Sequence, residues 1–388
     1  MQNHEKTAVL MAGIPDHNAT IFHQLRFSVG DPTAVLRFPT ADGTETSILI
    51  LRDIEMRRAR QAARVDQVAC PADYTPEGGL SGDRETATAQ AAAECLRRHG
   101  IHHVRADRSL PLIYADFARQ IGIEVELDTE LGIVQRRAKD EQELAWLREA
   151  QRITEGAMEM ACRMVATATA KNDGGLLVDG APLTSERVRT EVDHWLMDRG
   201  YANVPAIIAG GPSGADCHEL GMGILRTEQP VIIDIFPQNR ATRYNGDCTR
   251  TVVHGKISDE LNKMHLAVVD AKKAAIAATA PEVTGEDVHA ATCEAIRKHG
   301  FKIGLPSEQD PDSYCAMPHG TGHGVGLEVH EPPLLDKKGP ALVIGDVLTI
   351  EPGLYRRDLG GIRVEDMVAV TANGCDNFNQ LQNGLDWS

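Results

Sequence analysis

Three histidines sit among four glycines in "PHGTGHGVGLEVHEPP", residues 318–333. Imidazoles so close together can accept protons, bind metal or steady a developing anion. Glycine at 320, 322, 324 and 326 rules out a stable helix there. In an extended strand, alternation puts His319, Thr321, His323, Val325 and Leu327 on one face. The glycines opposite leave room for a bend or for close approach of another backbone. His330 lies an odd number of residues beyond His323, so it reaches the same space only if the chain bends. A glycine-rich phosphate loop is the rival reading, but the run continues into "EVHEPP" and not into a helix.

Carboxylates supply the second half of the chemistry. Four strand-like segments each carry an acid where an apolar residue is expected. They are Asp234 in "PVIIDIFP", Asp247 in "DCTRTVVHG", Glu351 in "DVLTIEPG" and Glu365 in "GIRVEDMVAV". Asp234 and Asp247 are 13 residues apart, and a hairpin turning near Arg240 and Ala241 makes them face each other. Glu351 and Glu365 are 14 apart, and a turn near Asp358 pairs them in the same way. Directly opposed residues have Cβ atoms about 4.5–5.5 Å apart. That is close enough to share metal ions that are themselves about 3.5–4 Å apart. Unrelated edge acids facing water are the plain alternative. Four acids in two similar hairpins, beside a histidine cluster, argue against it.

Buried carboxylates repel one another unless cations lie among them. One imidazole added to four carboxylates is too oxygen-rich for a structural zinc site and suits two divalent ions such as Mn²⁺, Co²⁺ or Zn²⁺. Two such ions and a bridging hydroxide would leave a net charge of about −1, and the shared water would be a nucleophile near neutral pH.

The elements that must position these groups read as two domains, 1–135 and 136–388. In the first, 33–38, 47–52 and 123–127 read as strands. Segments 53–65, 85–99 and 111–121 read as helices, the last two closed by Gly100 and Gly122. This is a small α/β unit. In the second, a long amphipathic helix over 136–165 places Leu144, Leu147, Ile153 and Met158 at helical spacing. Helices follow at 185–199, 258–279 and 286–299, with Thr284 and Asp287 spaced as a capping box before the last. Short strands beside these helices give an α+β domain with a largely antiparallel sheet.

Composition narrows the function classes. A chain of 388 residues suits two cores. Its net charge of −16 argues against nucleic acid or anionic membrane as a partner. The basic run from Met56 to Arg64 reads as a solvated helix face. No apolar stretch reaches the roughly 18 residues of a membrane helix. "MQNHEKTAVLMAG" lacks a signal-peptide core. The eight cysteines form no C-x-x-C pair, which fits a reduced cytoplasm.

The order of Asp234, Asp247, His323, Glu351 and Glu365, in "IIDIFP", "GDCTRT", "HGTGHGVGLEVHE", "TIEPGLY" and "RVED", resembles the pita-bread metallopeptidases. The likeness is to Xaa-Pro aminopeptidases and Xaa-Pro dipeptidases (prolidases), and it covers 136–370 well. The first domain is similar in arrangement to a creatinase-type N-terminal domain. The resemblance implies an α+β pita-bread catalytic domain and two divalent ions, Mn²⁺ foremost, with Co²⁺, Zn²⁺ or Fe²⁺ as the other candidates. It implies Asp234 on the first metal, Asp247 and Glu365 bridging, and His323 and Glu351 on the second. Glu351 would also be the general base. His330 and His218, the latter in "GPSGADCHELG", would meet the substrate, with His319 in a supporting role and Arg363 holding a ligating carboxylate.

The implied reaction is metal-dependent hydrolysis, by a dinuclear-metal-bound hydroxide, of the bond between an N-terminal residue and proline in a small peptide. A homodimer is implied as well. The spacing of Asp234 and Asp247 is wider than is usual in the family, which places the extra residues in the hairpin loop. Two other readings use the same fold: a small amide or amidine hydrolase, creatinase-like or acting on a cyclic amino-acid derivative, and a non-catalytic binding protein. The intact ligand set argues against the latter.

Overall fold

In the computed structural model, residues 7–40 and 42–388 are described. The first six residues of the stretch read as lacking a signal-peptide core lie outside them. The chain divides into two compact units, Met1–Arg136 and Arg137–Ser388. Among the described residues, no helix is long and apolar enough to cross a membrane. All eight cysteines are free thiols.

The first unit is built on the strand Thr7–Gly13, "TAVLMAG", buried on both faces as its unbroken apolar run requires. Ala8, Leu10 and Ala12 pack in one cluster with Ala92, Leu96 and Tyr114, while Val9 and Met11 pack in another with Ile21, Leu25 and Ala59. Six strands lie in the order Gln67–Ala69, Glu45–Ile50, Thr33–Pro39, Thr7–Gly13, His103–Ala106, Glu124–Leu127. Helices on both faces complete an α/β layer architecture. The segment expected as one helix over 53–65 is a 3-10 turn, Asp53–Glu55, followed by the helix Met56–Ala62. That helix buries only Ala59, and Arg57, Arg58 and Arg60 are exposed.

In the second unit the long helix is Glu141–Ala166, starting later than its apolar period suggests. A capping box sets the start. Asp140 accepts the Glu143 N–H at 2.8 Å, and Glu143 accepts the Asp140 N–H at 2.9 Å. The expected box at Thr284 and Asp287 also forms, and it opens the helix Gly285–Lys298. The other helices are Ser185–Met197 and Asp259–Ala278. Gly200 and Gly300, with φ of 80° and 84°, follow the ends of two of these helices.

Three sheets carry the site. Ile207–Gly210, Pro230–Ile235 and Cys248–Val253 form one antiparallel sheet. Gly353–Arg356 and Gly360–Arg363 form a hairpin at the edge of a second. In the third, Gly322–Gly324 lies between Glu331–Leu335 and Val347–Ile350, which pairs with Asp366–Thr371. The strand expected over 361–370 is thus two strands, broken at Val364 and Glu365.

Strand parity separates chemistry from core. Val231, Ile233, Ile235, Cys248 and Val252 pack under the long helix with Ala157, Met158 and Ala161. The alternate residues Asp234, Thr249 and Thr251 face the other way. Likewise Leu354, Ile362 and Val364 pack on Val268 and Ala271, which leaves Glu351, Tyr355, Arg363 and Glu365 on the opposite face.

Behind the strands lies a buried ionic cluster. Arg250 Nη2 is 2.9 Å from Asp366 Oδ1, and Lys272 Nζ is 2.5 Å from Asp366 Oδ2. Arg250 also donates to the carbonyl oxygens of Glu365 and, at 2.8 Å, Gln382. Replacing Asp366 by Leu would leave two buried cations without their shared anion. It is expected to cost about 3–5 kcal/mol, read as a lowered urea midpoint, and an unchanged midpoint would contradict this account.

Candidate active site

All nine residues singled out from the sequence line one cavity of about 280 Å³: His218, Asp234, Asp247, His319, His323, His330, Glu351, Arg363 and Glu365. The structure brings them together from both hairpins, the glycine-rich segment and the 211–221 loop.

The two hairpins differ in register. Val347–Ile350 pairs with Asp366–Thr371, and Gly353–Arg356 pairs with Gly360–Arg363, in one continuous register. Glu351 and Glu365 lie opposite one another in the gap between these ladders. Asp234, by contrast, pairs with Thr249 and not with Asp247. The expected opposition is therefore corrected to a diagonal, with Asp247 two residues before Thr249. The cause is the turn. Asn239 Oδ1 accepts the N–H groups of Ala241 and Thr242, both at 2.9 Å, and Arg243 takes a φ of 65°. This moves the centre of the loop one residue towards the C-terminus. Oxygens of Asp234, Asp247 and Glu365 still lie within 4.8 Å of one another.

The glycine-rich segment is not the single long strand its alternation suggests. Only Gly322–Gly324 is a strand, with a register shift after His323. The glycines are there for space. A Cβ on Gly322 would collide with the Thr349 carbonyl, and one on Gly324 with the Glu331 and Pro332 carbonyls. The chain then bends, and the His330 ring returns to within 4.3 Å of the His323 ring, centroid to centroid.

Hydrogen bonds fix the rings of His323 and His319. His323 Nδ1 contacts the Gly324 carbonyl at 3.1 Å, so Nδ1 carries the proton. Its Nε2 points at Glu351 Oε1, 3.3 Å away, and lies 3.9 Å from Asp247 Oδ2. A ring held through one nitrogen with the other turned towards carboxylates is poised to ligate. His319 donates Nδ1–H to the Gly320 carbonyl at 2.8 Å, and its Nε2 meets Tyr355 Oη at 2.9 Å. Both of its nitrogens are thereby engaged by protein groups. His218 and His330 are exposed at the cavity mouth. The ligand atoms of Asp216, Cys217 and His218 also fall within 4.8 Å of one another.

Arg363 is the buried cation that touches this acid cluster. Its Nη2 is 2.6 Å from Asp234 Oδ2, and its Nη1 donates to Tyr355 Oη at 2.8 Å. Thr249 donates to Glu365 Oε2 at 2.7 Å and accepts from Arg363 Nε at 3.3 Å. Sequence reasoning missed Tyr355 and Thr249. Both share strand parity with the acids, and that was the available signal.

The electrostatics call for cations. Burial, then the Glu365, Asp234 and Glu351 charges, push Asp247 well above the usual carboxylate range. Burial and the charges of Glu351 and Asp234 do the same to Glu365. Burial also raises Asp234, against the pull of Arg363. For Glu351, burial is outweighed by His323, His319 and Arg363, which hold it at about 2. Asp234 Oδ1 is buried and accepts no hydrogen bond among the described residues. An orphaned carboxylate oxygen, mutual repulsion and an oxygen-rich donor set with one imidazole fit divalent ions.

Comparison with known proteins points to one family. An Xaa-Pro dipeptidase of Pyrococcus furiosus is 32% identical over 195 residues, 49% of this chain and 52% of that protein. The chain thus spans about half the length of the curated relatives it matches. In fold, it is similar to the prolidase of Pyrococcus horikoshii OT3, with a TM-score of 0.76, 23% identity and 99% and 97% of the two chains covered. It is also similar to the X-Pro aminopeptidase of Thermotoga maritima MSB8, with a TM-score of 0.77, 20% identity and coverages of 98% and 97%. Residues 145–372, which carry every group described above, match metallopeptidase family M24. With the two-unit α+β pita-bread fold in place, the chain belongs to metallopeptidase family M24.

Proposed function

We propose that this protein is a dinuclear-metal exopeptidase that cleaves the bond between an N-terminal residue and proline, as an Xaa-Pro dipeptidase or aminopeptidase. One observation carries the reading: Asp234, Asp247 and Glu365 converge beside His323 and Glu351 in one buried cavity. The proline preference is supported by the named activities of the relatives. Residues 1–135 form the creatinase-type N-terminal domain in this reading, and a cytoplasmic homodimer is the working form.

Asp234, Asp247, His323, Glu351 and Glu365 would hold two divalent ions, Mn²⁺ foremost. When bound, such ions acidify water towards neutrality and polarise a carbonyl. The chain's own groups do the rest. Glu351, held ionised, takes the proton of the attacking water. His330, whose proton affinity is lowered by partial desolvation of its ring and by the neighbouring His323, reaches the cavity from its mouth and donates a hydrogen bond to the carbonyl oxygen as charge builds there. His218 faces the same oxygen or the peptide beside it. Arg363, braced by Tyr355, orients Asp234.

Three measurements test this. Metal-stripped protein is assayed on an Xaa-Pro dipeptide, an Xaa-Pro-Yaa tripeptide and alanine-for-proline controls, with and without Mn²⁺. Cleavage restored by metal and confined to the proline peptides is expected, and the dipeptide-to-tripeptide ratio then separates the two types. Metal uptake without peptide cleavage would shift the reading to a small amide or amidine hydrolase. Next, Arg363→Lys keeps the charge but cannot span Asp234 and Tyr355 together. It should weaken metal binding about 10–100-fold, and unchanged affinity would remove Arg363 from the orienting role. Finally, light scattering should report a dimer, and a monomer at assay concentration would remove the homodimer.

A further inference from the structure

We propose that Gln151 and Asn379 form an amide ladder that fixes the spacing between the backbones carrying Asp247 and Glu365, and so sets how tightly the cavity holds its ions. This rests on the ligand assignment above. Gln151 lies in the helix Glu141–Ala166 and is wholly buried. A buried amide must satisfy one oxygen and two N–H groups. Gln151 Oε1 accepts the Asp247 N–H at 2.8 Å, and Nε2 donates to the Asp247 carbonyl at 2.6 Å. Both bonds go to the main chain of one residue, so a helix side chain stands where a neighbouring strand would.

Gln151 Nε2 also donates to Asn379 Oδ1 at 2.9 Å, and that same oxygen accepts the Met367 N–H at 2.8 Å. Met367 is two residues beyond Glu365. Asn379 is itself anchored, its N–H on Asn377 Oδ1 at 2.8 Å and its Nδ2 on Cys248 Sγ at 3.5 Å. A path of hydrogen bonds thus runs from the backbone of Asp247 through two neutral amides to the strand that follows Glu365. Neither amide lines the cavity.

The Asp247 carboxylate makes this path matter. Asp234 is steadied by Arg363 and Glu365 by Thr249. Among the described residues, no hydrogen bond steadies the carboxylate of Asp247, whose contact with His323 is 3.9 Å. Its position is set by its backbone, and its backbone is held by Gln151. Asn379 lies beyond residue 372, where the family match ends, so the C-terminal segment contributes to the site without entering it.

Full-length protein, stripped of metal, is titrated with Mn²⁺ by calorimetry, and the unfolding temperature of each apo variant is recorded alongside. Asn379→Leu removes both accepted bonds with little change in size, while Asn379→Asp keeps the accepting oxygen. Two Mn²⁺ are expected in the unaltered protein, about tenfold or greater weakening in Asn379→Leu, and near-complete recovery in Asn379→Asp. Gln151→Met should weaken binding further, and if it does not fold the Asn379 pair carries the test. Unchanged Mn²⁺ affinity in Asn379→Leu, whatever its unfolding temperature, overturns the ladder and leaves the ligand set standing. Unaltered protein that takes up no Mn²⁺ overturns the ligand set and the ladder with it.

Discussion

Carboxylates held together out of water are the constraint on which the rest of this structure depends. Oxygens of Asp234, Asp247 and Glu365 lie within 4.8 Å of each other, and Glu351 adds a fourth charge to the same cavity. At an effective dielectric of about 20, each pair of unit charges at that separation repels by about 3.5 kcal/mol. The Arg363 charge offsets part of this through Asp234. The remainder must be met by protons or by metal ions, and an ordinary hydrophobic core would exclude such a cluster.

Holding repelling groups in place requires a stiff frame, and the strands provide it through their two faces. The face that looks away from the cavity is packed: Ile233, Ile235 and Val252 against the long helix, Leu354, Ile362 and Val364 against the helix Asp259–Ala278. Directly behind Glu365 sit Arg250, Asp366 and Lys272, a second charged cluster that is internally paired. Paired charges on one face of a strand and repelling charges on the other have different consequences. The first fixes backbone position, and the second creates affinity for cations.

Much of this was legible in the sequence because strand parity is a local property. Glu351, Arg363 and Glu365 could be placed on one face from spacing alone, and the symmetric turn near Asp358 set their register. The Asp234–Asp247 register was not legible, because the Asn239 side chain recentres the turn by bonding two N–H groups. The start of the long helix was misplaced because the chain breaks after the short helix Ile133–Arg137, and the Asp140–Glu143 box, not the apolar period, opens the long one. The central strand Thr7–Gly13 was overlooked because a fully buried strand has no alternation to reveal it. Gln151 and Asn379 carry no sequence signal at all. Their meaning comes from partners 96 and 12 residues away, at Asp247 and Met367.

The arrangement also separates the parts of the site that must be fixed from the parts that can vary. The acids, His323 and Arg363 stand on strands or beside them and are buried or nearly so, anchored from behind by packing and hydrogen bonds. His218 and His330 lie on loops at the mouth, exposed, next to apolar residues such as Phe236, Val329 and Leu334. Loops can change in length and composition at little cost to the core, whereas a shift in the strands would disturb every carboxylate at once. A fold organised in this way can keep one cluster of buried acids while the mouth of its cavity is reshaped. In the proposed reading, the metal-binding chemistry is therefore readable from five residues, while the choice of substrate must be sought at the loops around them.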